Sequence, residues 1–225
     1  LIHQKEKRFM PPEAILFDFD GTLADSYSAI TESVNYVRLV NHLPPLSIAE
    51  VRQLVGHGLL QLMSDIVPGG DPEANAKLYR EHHPSVMVSH THLYPGVLEA
   101  LEQLHQRGIK MGVCSNKPSV FTRQLVSGLG VAKYFAATLG PEDAGAAKPD
   151  PAIIHLALKI LGISENHALY IGDMEVDVQT ARAANVAVWV VLTGSDNLET
   201  LERSNPDRIM RDMKDLVPAL FMAEQ

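Results

Sequence analysis

Three short runs, Ala14–Phe17, Ile109–Cys114 and Ala168–Ile171, are apolar mainly on consecutive residues and do not alternate with polar ones. A strand exposed on one face alternates. Consecutive apolar residues need cover on both faces, which means a parallel sheet between helical layers. A fourth run, Val186–Leu192, is the longest and most β-branched, and weaker ones lie at Phe135–Thr138 and Arg208–Met210. Helical patterns separate the runs. Val97, Leu98, Leu101 and Leu104 form one stripe, stopped by Arg107-Gly108. Asp150-Pro151 reads as an N-cap with proline at the first helical position, and Gly162 ends the helix that carries Ile153, Ile154, Leu158 and Leu161. From Tyr94 onward the alternation of helix and strand predicts an α/β fold.

The stretch from Asp25 to Leu93 follows another rule. It shows no convincing strand but carries helical stripes at Ile30, Val34 and Val37 and at Leu59, Leu62, Met63 and Ile66, punctuated by Pro44-Pro45 and Pro68-Gly69-Gly70. About 70 helical residues exceed what a simple crossover needs, so the segment is expected to be an inserted helical domain. The predicted division is residues 1–24 with 94–225 as a discontinuous α/β core, and 25–93 as the insertion. There is no internal repeat and no low-complexity segment.

Composition narrows the partners. Lys and Arg number 19 against 27 Asp and Glu, a net charge of −8, so no global basic field attracts nucleic acid or an anionic membrane. No run approaches the roughly 20 apolar residues of a membrane helix. Leu1–Phe9 is charged and lacks the apolar run of a signal peptide, so a processed end with Met10 as the native start is the expectation. The single cysteine, Cys114, forms no intramolecular disulfide, which points to a reducing compartment, the cytoplasm or an organelle stroma.

The strongest local signal is Phe17-Asp18-Phe19-Asp20-Gly21-Thr22-Leu23. At the end of a strand, Asp18 and Asp20 lie two apart and point to one face, where two anions require either a proton or a cation between them. That is an arrangement for a nucleophile, an acid/base partner and a bound metal; alone, it is equally a solvated turn. Three later segments join it at predicted strand ends. Val113-Cys114-Ser115-Asn116-Lys117-Pro118 sets a hydroxyl and an amide before a helix whose first N–H groups can bind an anion. Ala147-Lys148-Pro149-Asp150-Pro151 offers a lysine before another helix, and Ile171-Gly172-Asp173-Met174-Glu175-Val176-Asp177 puts acids at i and i+4 of one helix face. Open α/β sheets bind ligands at strand C-terminal ends.

The order and form of these four segments resemble the haloacid dehalogenase superfamily of phosphotransferases, over essentially the whole core from Ile15 to about Leu192. The resemblance implies a Rossmann-like parallel sheet with a helical cap inserted after the first motif. It implies Asp18 as nucleophile, Asp20 as general acid/base, and Gly21, Ser115 or Asn116, and Lys148 as phosphoryl ligands. It further implies Mg²⁺ held by Asp18, Asp20 and Asp173, supported by Asp177. Val55-Gly56-His57-Gly58-Leu59, Leu93-Tyr94-Pro95-Gly96-Val97 and the two lysine-bearing motifs look most like the phosphoglycolate phosphatase branch. The implied substrate is a small phosphorylated metabolite, 2-phosphoglycolate, whose carboxylate needs a cation or donor from the cap. His57 and Arg52 are the nearest candidates by sequence. Met174 and Asn185 depart from the pattern, which commonly has a small polar residue and a glycine there.

Pyrophosphatase, sugar-phosphate phosphatase and mutase readings share these motifs, and a non-catalytic binding module on the same fold stays open. The sequence leaves oligomeric state undecided. Gly128-Leu129-Gly130 reads as a helix end and not a nucleotide loop. Cys114 is expected to be a buried, inert thiol. His82, His83, His90 and His92 lack a metal-motif spacing and are not assigned to zinc.

Overall fold

The computed structural model describes residues 11–221; the sequence reading of the first ten residues, Met10 included, lies outside them. The chain begins with β1 (Ala14–Phe17), β2 (Ala24–Asp25), α1 (Tyr27–Val40), α2 (Ile48–Arg52), α3 (Leu59–Ile66), α4 (Pro72–His82) and β3 (His92–Leu93). It continues with α5 (Val97–Gln106), β4 (Lys110–Cys114), α6 (Ser119–Gly128), β5 (Ala137–Leu139), α7 (Pro141–Ala144), α8 (Ala152–Leu161) and β6 (Ala168–Gly172). The last part holds α9 (Glu175–Ala183), β7 (Ala187–Val191), α10 (Leu198–Ser204), β8 (Arg208–Met210) and α11 (Leu216–Phe221). No helix among the described residues is long and apolar enough to cross a membrane.

Six strands form one parallel sheet in the order β5-β4-β1-β6-β7-β8. Its two faces account for the uninterrupted apolar runs. Ile15, Phe17, Met111, Val113, Leu169 and Ile171 belong to one core layer, with Leu101, Leu104 and Phe121 from α5 and α6. Ala14, Leu16, Ala168, Tyr170, Val188 and Val190 belong to the other, with Ile153, Leu158, Ala181 and Leu201 from α8, α9 and α10. From β1 the chain moves outward to β4 and β5; from β6 it moves the other way to β7 and β8. The crevice between β1 and β6 is therefore the switch point where such a sheet opens at its strand C-terminal ends.

Between β2 and β3 the segment holds four α-helices, as expected, but its two ends pair as a two-residue antiparallel ladder, Ala24 with Leu93 and Asp25 with His92. No strand was expected there, because two residues make no periodicity and the pairing is made by residues far apart in sequence. The buried side chains of α1, α3 and α4, including Ile30, Val34, Met63, Ile66 and Tyr79, continue the same apolar layer as the β1 face. Asn185 ends α9 with φ 57°, a left-handed conformation that asparagine tolerates, so its departure from glycine is mild.

His83, just past α4, is fully buried. Its Nδ1 lies 2.9 Å from Ser33 Oγ, its ring stacks on Tyr79 at 4.7 Å and meets Phe121 edge-on at 5.1 Å, and Nε2 has no hydrogen-bond partner among the described residues. Burial, helped by the charges of Lys117 and His82, pushes its pKa down to about 2. The unfolded chain binds a proton there at the ordinary value near ~6.5, and the folded chain does not. Stability is therefore fully present above that value and falls as pH drops below it, by up to ~1.4 kcal/mol per pH unit from this residue. His83→Phe keeps the ring packing and removes the titration. Urea unfolding at pH 7.5, 6 and 5 is expected to show a shallower acid loss in the variant than in the wild type; equal slopes refute the assignment.

Candidate active site

Asp18 follows β1 directly, and its N–H donates to the Ile171 carbonyl at 2.8 Å, which extends the ladder to β6 by one residue and holds Asp18 in the crevice. The expected pair of acids is present, but each acid has its own cation. Lys148 Nζ lies 3.0 Å from Asp18 Oδ1, while Lys117 Nζ donates to the two oxygens of Asp20 at 3.2 and 2.9 Å. Ser26 Oγ donates to Asp20 as well. Lys148 meets Asp18 at ion-pair distance but off the hydrogen-bond direction, so Asp18 Oδ1, buried, receives no hydrogen bond from the described residues.

Lys148 Nζ donates to Asp177 Oδ1 at 2.6 Å and to the Tyr170 hydroxyl at 3.2 Å. Asp177 Oδ2 accepts the N–H groups of Asp173 and Met174 at 3.1 and 3.0 Å, so the Asp177 carboxylate is fully occupied in ordering the loop after β6. A side chain at Gly172 is impossible, because its Cβ would sit 2.3 Å from Asp177 Cγ. The expectation of Asp173 and Asp177 as neighbours on one helix face is corrected here. Asp173 precedes the first residue of α9, and Asp177 folds back to cap that helix.

Asp173 accepts from Thr22 Oγ1 at 2.8 Å and from Ser195 N–H at 3.0 Å. Gly21 and Gly194 pack so tightly on its carboxylate that a Cβ would lie 2.4 and 1.7 Å from Oδ2. Gly21 was expected to donate to phosphate, yet its N–H bonds the Ala24 carbonyl at 3.0 Å and its φ of +87° makes the turn over Asp173. Close packing is its evident role.

Carboxylate oxygens of Asp18, Asp173 and Asp177 lie within 4.8 Å of one another, all buried. Burial lifts Asp18 to about 6, with Lys148 pulling back and Asp177 and Asp20 adding to the rise. Burial, with the neighbouring charges of Asp177 and Asp18, holds Asp173 well above the usual carboxylate range. Burial opposes the Lys148 charge, but Asp177 and Asp18 outweigh it and raise the lysine. Three acids against one ammonium leave a negative excess. Asp18 Oδ1 lacks a hydrogen bond from the described residues, and the donor set is all oxygen, which suits a hard divalent cation such as Mg²⁺. The Asp20 carboxylate, expected with Asp18 and Asp173 around the metal, lies outside this group and is held by Lys117 and Ser26.

Ser115 is buried beside Asp18, and its hydroxyl accepts the Lys117 N–H at 3.3 Å. Asn116 does not offer its amide to a phosphoryl group. Its Nδ2 donates to the carbonyls of Gly56 and Lys148 at 2.9 and 3.1 Å, and its Oδ1 accepts Lys148 N–H at 2.7 Å. It braces the lysine loop against the helical segment. The helix after it is also partly capped, since Ser119 N–H donates to Glu142 at 3.0 Å.

A cavity of about 50 Å³ opens on Asp18, Asp20 and Ser115, room for a few waters. Its far walls are Ile30, Leu59, Leu62, Tyr79 and Phe121, with Met174 packed on Gly56 between loop and core. Neither cap candidate lines it. His57 is exposed, and only the flanking Gly56 and Gly58 reach the wall. Arg52 lies over the Tyr27 ring at 4.2 Å and donates to the Thr193 carbonyl at 3.1 Å, away from the cavity. Lys117, Tyr79, Thr22 and the Gly194-Ser195 loop carry no assignment from the sequence; Lys117 and Thr22 stand inside the phosphatase-like motifs, and the loop's place after the β7 strand end is its available signal. Cys114 is buried in β4, and burial pushes its thiol far up, so it is inert as expected. His82 and His83 both turn Nδ1 to Ser33.

A parallel sheet whose switch-point crevice gathers buried acids, a lysine and a serine defines an α/β hydrolytic enzyme. The chain belongs to the haloacid dehalogenase-like hydrolases, whose family model matches residues 15–191, and within them it is a phosphatase. It is 36% identical over 194 residues to the phosphoglycolate phosphatase of Rhodospirillum rubrum, covering 81% of this chain and 80% of that one. It is 30% identical to phosphoglycolate phosphatase 1 of Pseudomonas aeruginosa, covering 95% and 82%. A solved haloacid dehalogenase-like hydrolase from Bacteroides fragilis superimposes with a TM-score of 0.85 at 29% identity, covering 91% of this chain and 99% of that one.

Proposed function

We propose that this phosphatase hydrolyses small phosphomonoesters, 2-phosphoglycolate foremost, through a phosphoryl group carried on Asp18. The observation that supports this best is Asp18 Oδ1, buried against Lys148 and Asp173 without a hydrogen bond and so available as a nucleophile. Asp18 and Asp173 would hold Mg²⁺, with Asp177 ordering their loop. The bound ion supplies positive charge to the phosphoryl oxygens and offsets their repulsion from the attacking carboxylate.

An Asp18 oxygen attacks phosphorus in line, the bond to the leaving oxygen breaks, and Lys148 and Ser115 hold the equatorial oxygens. Asp20, two residues on and free of the metal set, gives its proton to the leaving alkoxide. It then takes a proton from water as that water attacks phosphorus, which returns the Asp18 carboxylate and releases phosphate. Residues 25–93 act as a cap over the α/β core, and the small chamber between them keeps bulk water out. A sugar phosphate would bury several hydroxyls against Ile30, Leu59 and Leu62 without partners, which favours a short leaving group. A reducing cytoplasm suits the single buried cysteine.

The reading is tested with purified protein and a panel of 2-phosphoglycolate, glucose 6-phosphate and pyrophosphate. Chelation is expected to abolish hydrolysis and added Mg²⁺ to restore it, with phosphoglycolate the best substrate; Asp173→Asn raises the Mg²⁺ concentration for half-maximal activity at least ~10-fold. Full activity after metal stripping refutes the Mg²⁺ assignment, and a preference for either of the other substrates refutes phosphoglycolate.

A further inference from the structure

Two groups in the cavity wall have hydrogen-bonding capacity that the described residues do not use. The Tyr79 hydroxyl makes no hydrogen bond among the described residues, although the side chain is only 3% exposed. Lys117, 8% exposed, directs its ammonium at the Asp20 carboxylate through two contacts and has no other acceptor among the described residues. The two belong to one neighbourhood, since His83 stacks on the Tyr79 ring at 4.7 Å and is depressed in part by the Lys117 charge. Asp20 likewise contributes to the upward shift of the Tyr79 hydroxyl, after burial. The walls around them, Ile30, Leu59, Leu62 and Phe121, are apolar.

We infer that Lys117 and Tyr79 receive the carboxylate of the leaving group, and so select a phosphomonoester that bears an acid close to its ester oxygen. The inference rests on the phosphatase reading with a small acidic substrate given above. A carboxylate placed in this chamber without a cation would lose its hydration for nothing; beside an ammonium and a phenol it gains a charge-assisted and a neutral hydrogen bond. Lys148 is occupied at the phosphoryl end by Asp18 and Asp177 and cannot serve both ends. Lys117, next to Asp20 where the leaving oxygen departs, is one short carbon chain from an α-carboxylate. This division of labour moves specificity from His57 and Arg52, which lie outside the cavity, to one residue after β4 and one on α4.

The test compares kcat/KM for 2-phosphoglycolate and ethyl phosphate, which replaces the carboxylate with a methyl group, in wild type, Lys117→Met, Lys117→Arg and Tyr79→Phe. Lys117 also touches Asp20, so its loss slows both substrates; the ratio between them carries the answer. The wild type is expected to favour phosphoglycolate strongly. Lys117→Met should reduce that preference ~10- to 100-fold, mainly through KM, Lys117→Arg should keep part of it, and Tyr79→Phe should reduce it ~5-fold. A selective wild type whose preference survives both Lys117→Met and Tyr79→Phe overturns the residue assignment alone. A wild type that treats both substrates alike overturns the acidic-substrate reading, and this inference with it. Circular dichroism checks folding; if Lys117→Met does not fold, Tyr79→Phe decides, and an unchanged preference there overturns the proposal.

Discussion

Asp18→Asn is expected to fold and to lose turnover by on the order of 10⁴-fold or more, since an amide in that place cannot form and release an acyl phosphate. The substitution changes one atom at a site where the side chain's neighbours do not depend on its charge for their own placement. Asp177 retains Lys148 at 2.6 Å, and Asp173 retains Thr22 and Ser195. Removing one of three clustered buried acids also relieves repulsion. In metal-free protein the variant should therefore melt at the same temperature or higher, by a margin on the order of 1 kcal/mol. Activity loss with undiminished stability separates a chemical role from a structural one. The check is calorimetry beside single-turnover assays, with reversion and deamidation excluded by mass. Appreciable turnover in such a sample refutes Asp18 as nucleophile.

The sheet was legible because burial on both faces leaves a mark that needs no neighbours to read. Ala14-Ile15-Leu16-Phe17 divides its residues between two core layers, and such a four-residue run fits few other structures. The placement of Asp18, Asp173 and Ser115 followed from the same logic, since each follows a strand and the strand C-terminal ends converge, whereas Lys148 comes after the short helix α7 and before α8. The β2–β3 ladder was not legible, because Ala24 and Leu93 meet only when the helical segment closes on itself. The finer contacts were not legible for a related reason. A side chain's role depends on which partner reaches it first: Asn116 is claimed by the backbone of Lys148, Gly21 by Asp173 and Ala24, and Asp20 by Lys117 across 97 positions of sequence. His57 misled because its flanking glycines do reach the cavity. Their backbones at φ +123° and +91° form the wall while the imidazole stays exposed.

Lys148 is where charge balance and catalysis meet, so Lys148→Met should damage both. Methionine keeps the length and apolar stem but leaves Asp18, Asp173 and Asp177 facing one another with no ammonium. Breaking a buried ion pair in this way costs about 3–5 kcal/mol, reduced by whatever proton the acids then take up. For a chain of this size that is a fall in melting temperature of roughly 6–20 °C. The backbone clasp by Asn116 survives, because it holds the main chain of residue 148 and not its side chain, so the loop should keep its course. Hydrolysis should drop at least ~10³-fold with the loss of the cation opposite the transferring phosphoryl group. Mg²⁺ offers a second way to neutralise the acids, and it should raise the melting temperature of the variant more than that of the wild type. Thermal unfolding of both proteins, with chelator and with Mg²⁺, reads these terms separately. A variant that melts with the wild type in chelator shows that Lys148 does not balance the acidic cluster, and retained activity shows that it does not hold the phosphoryl group.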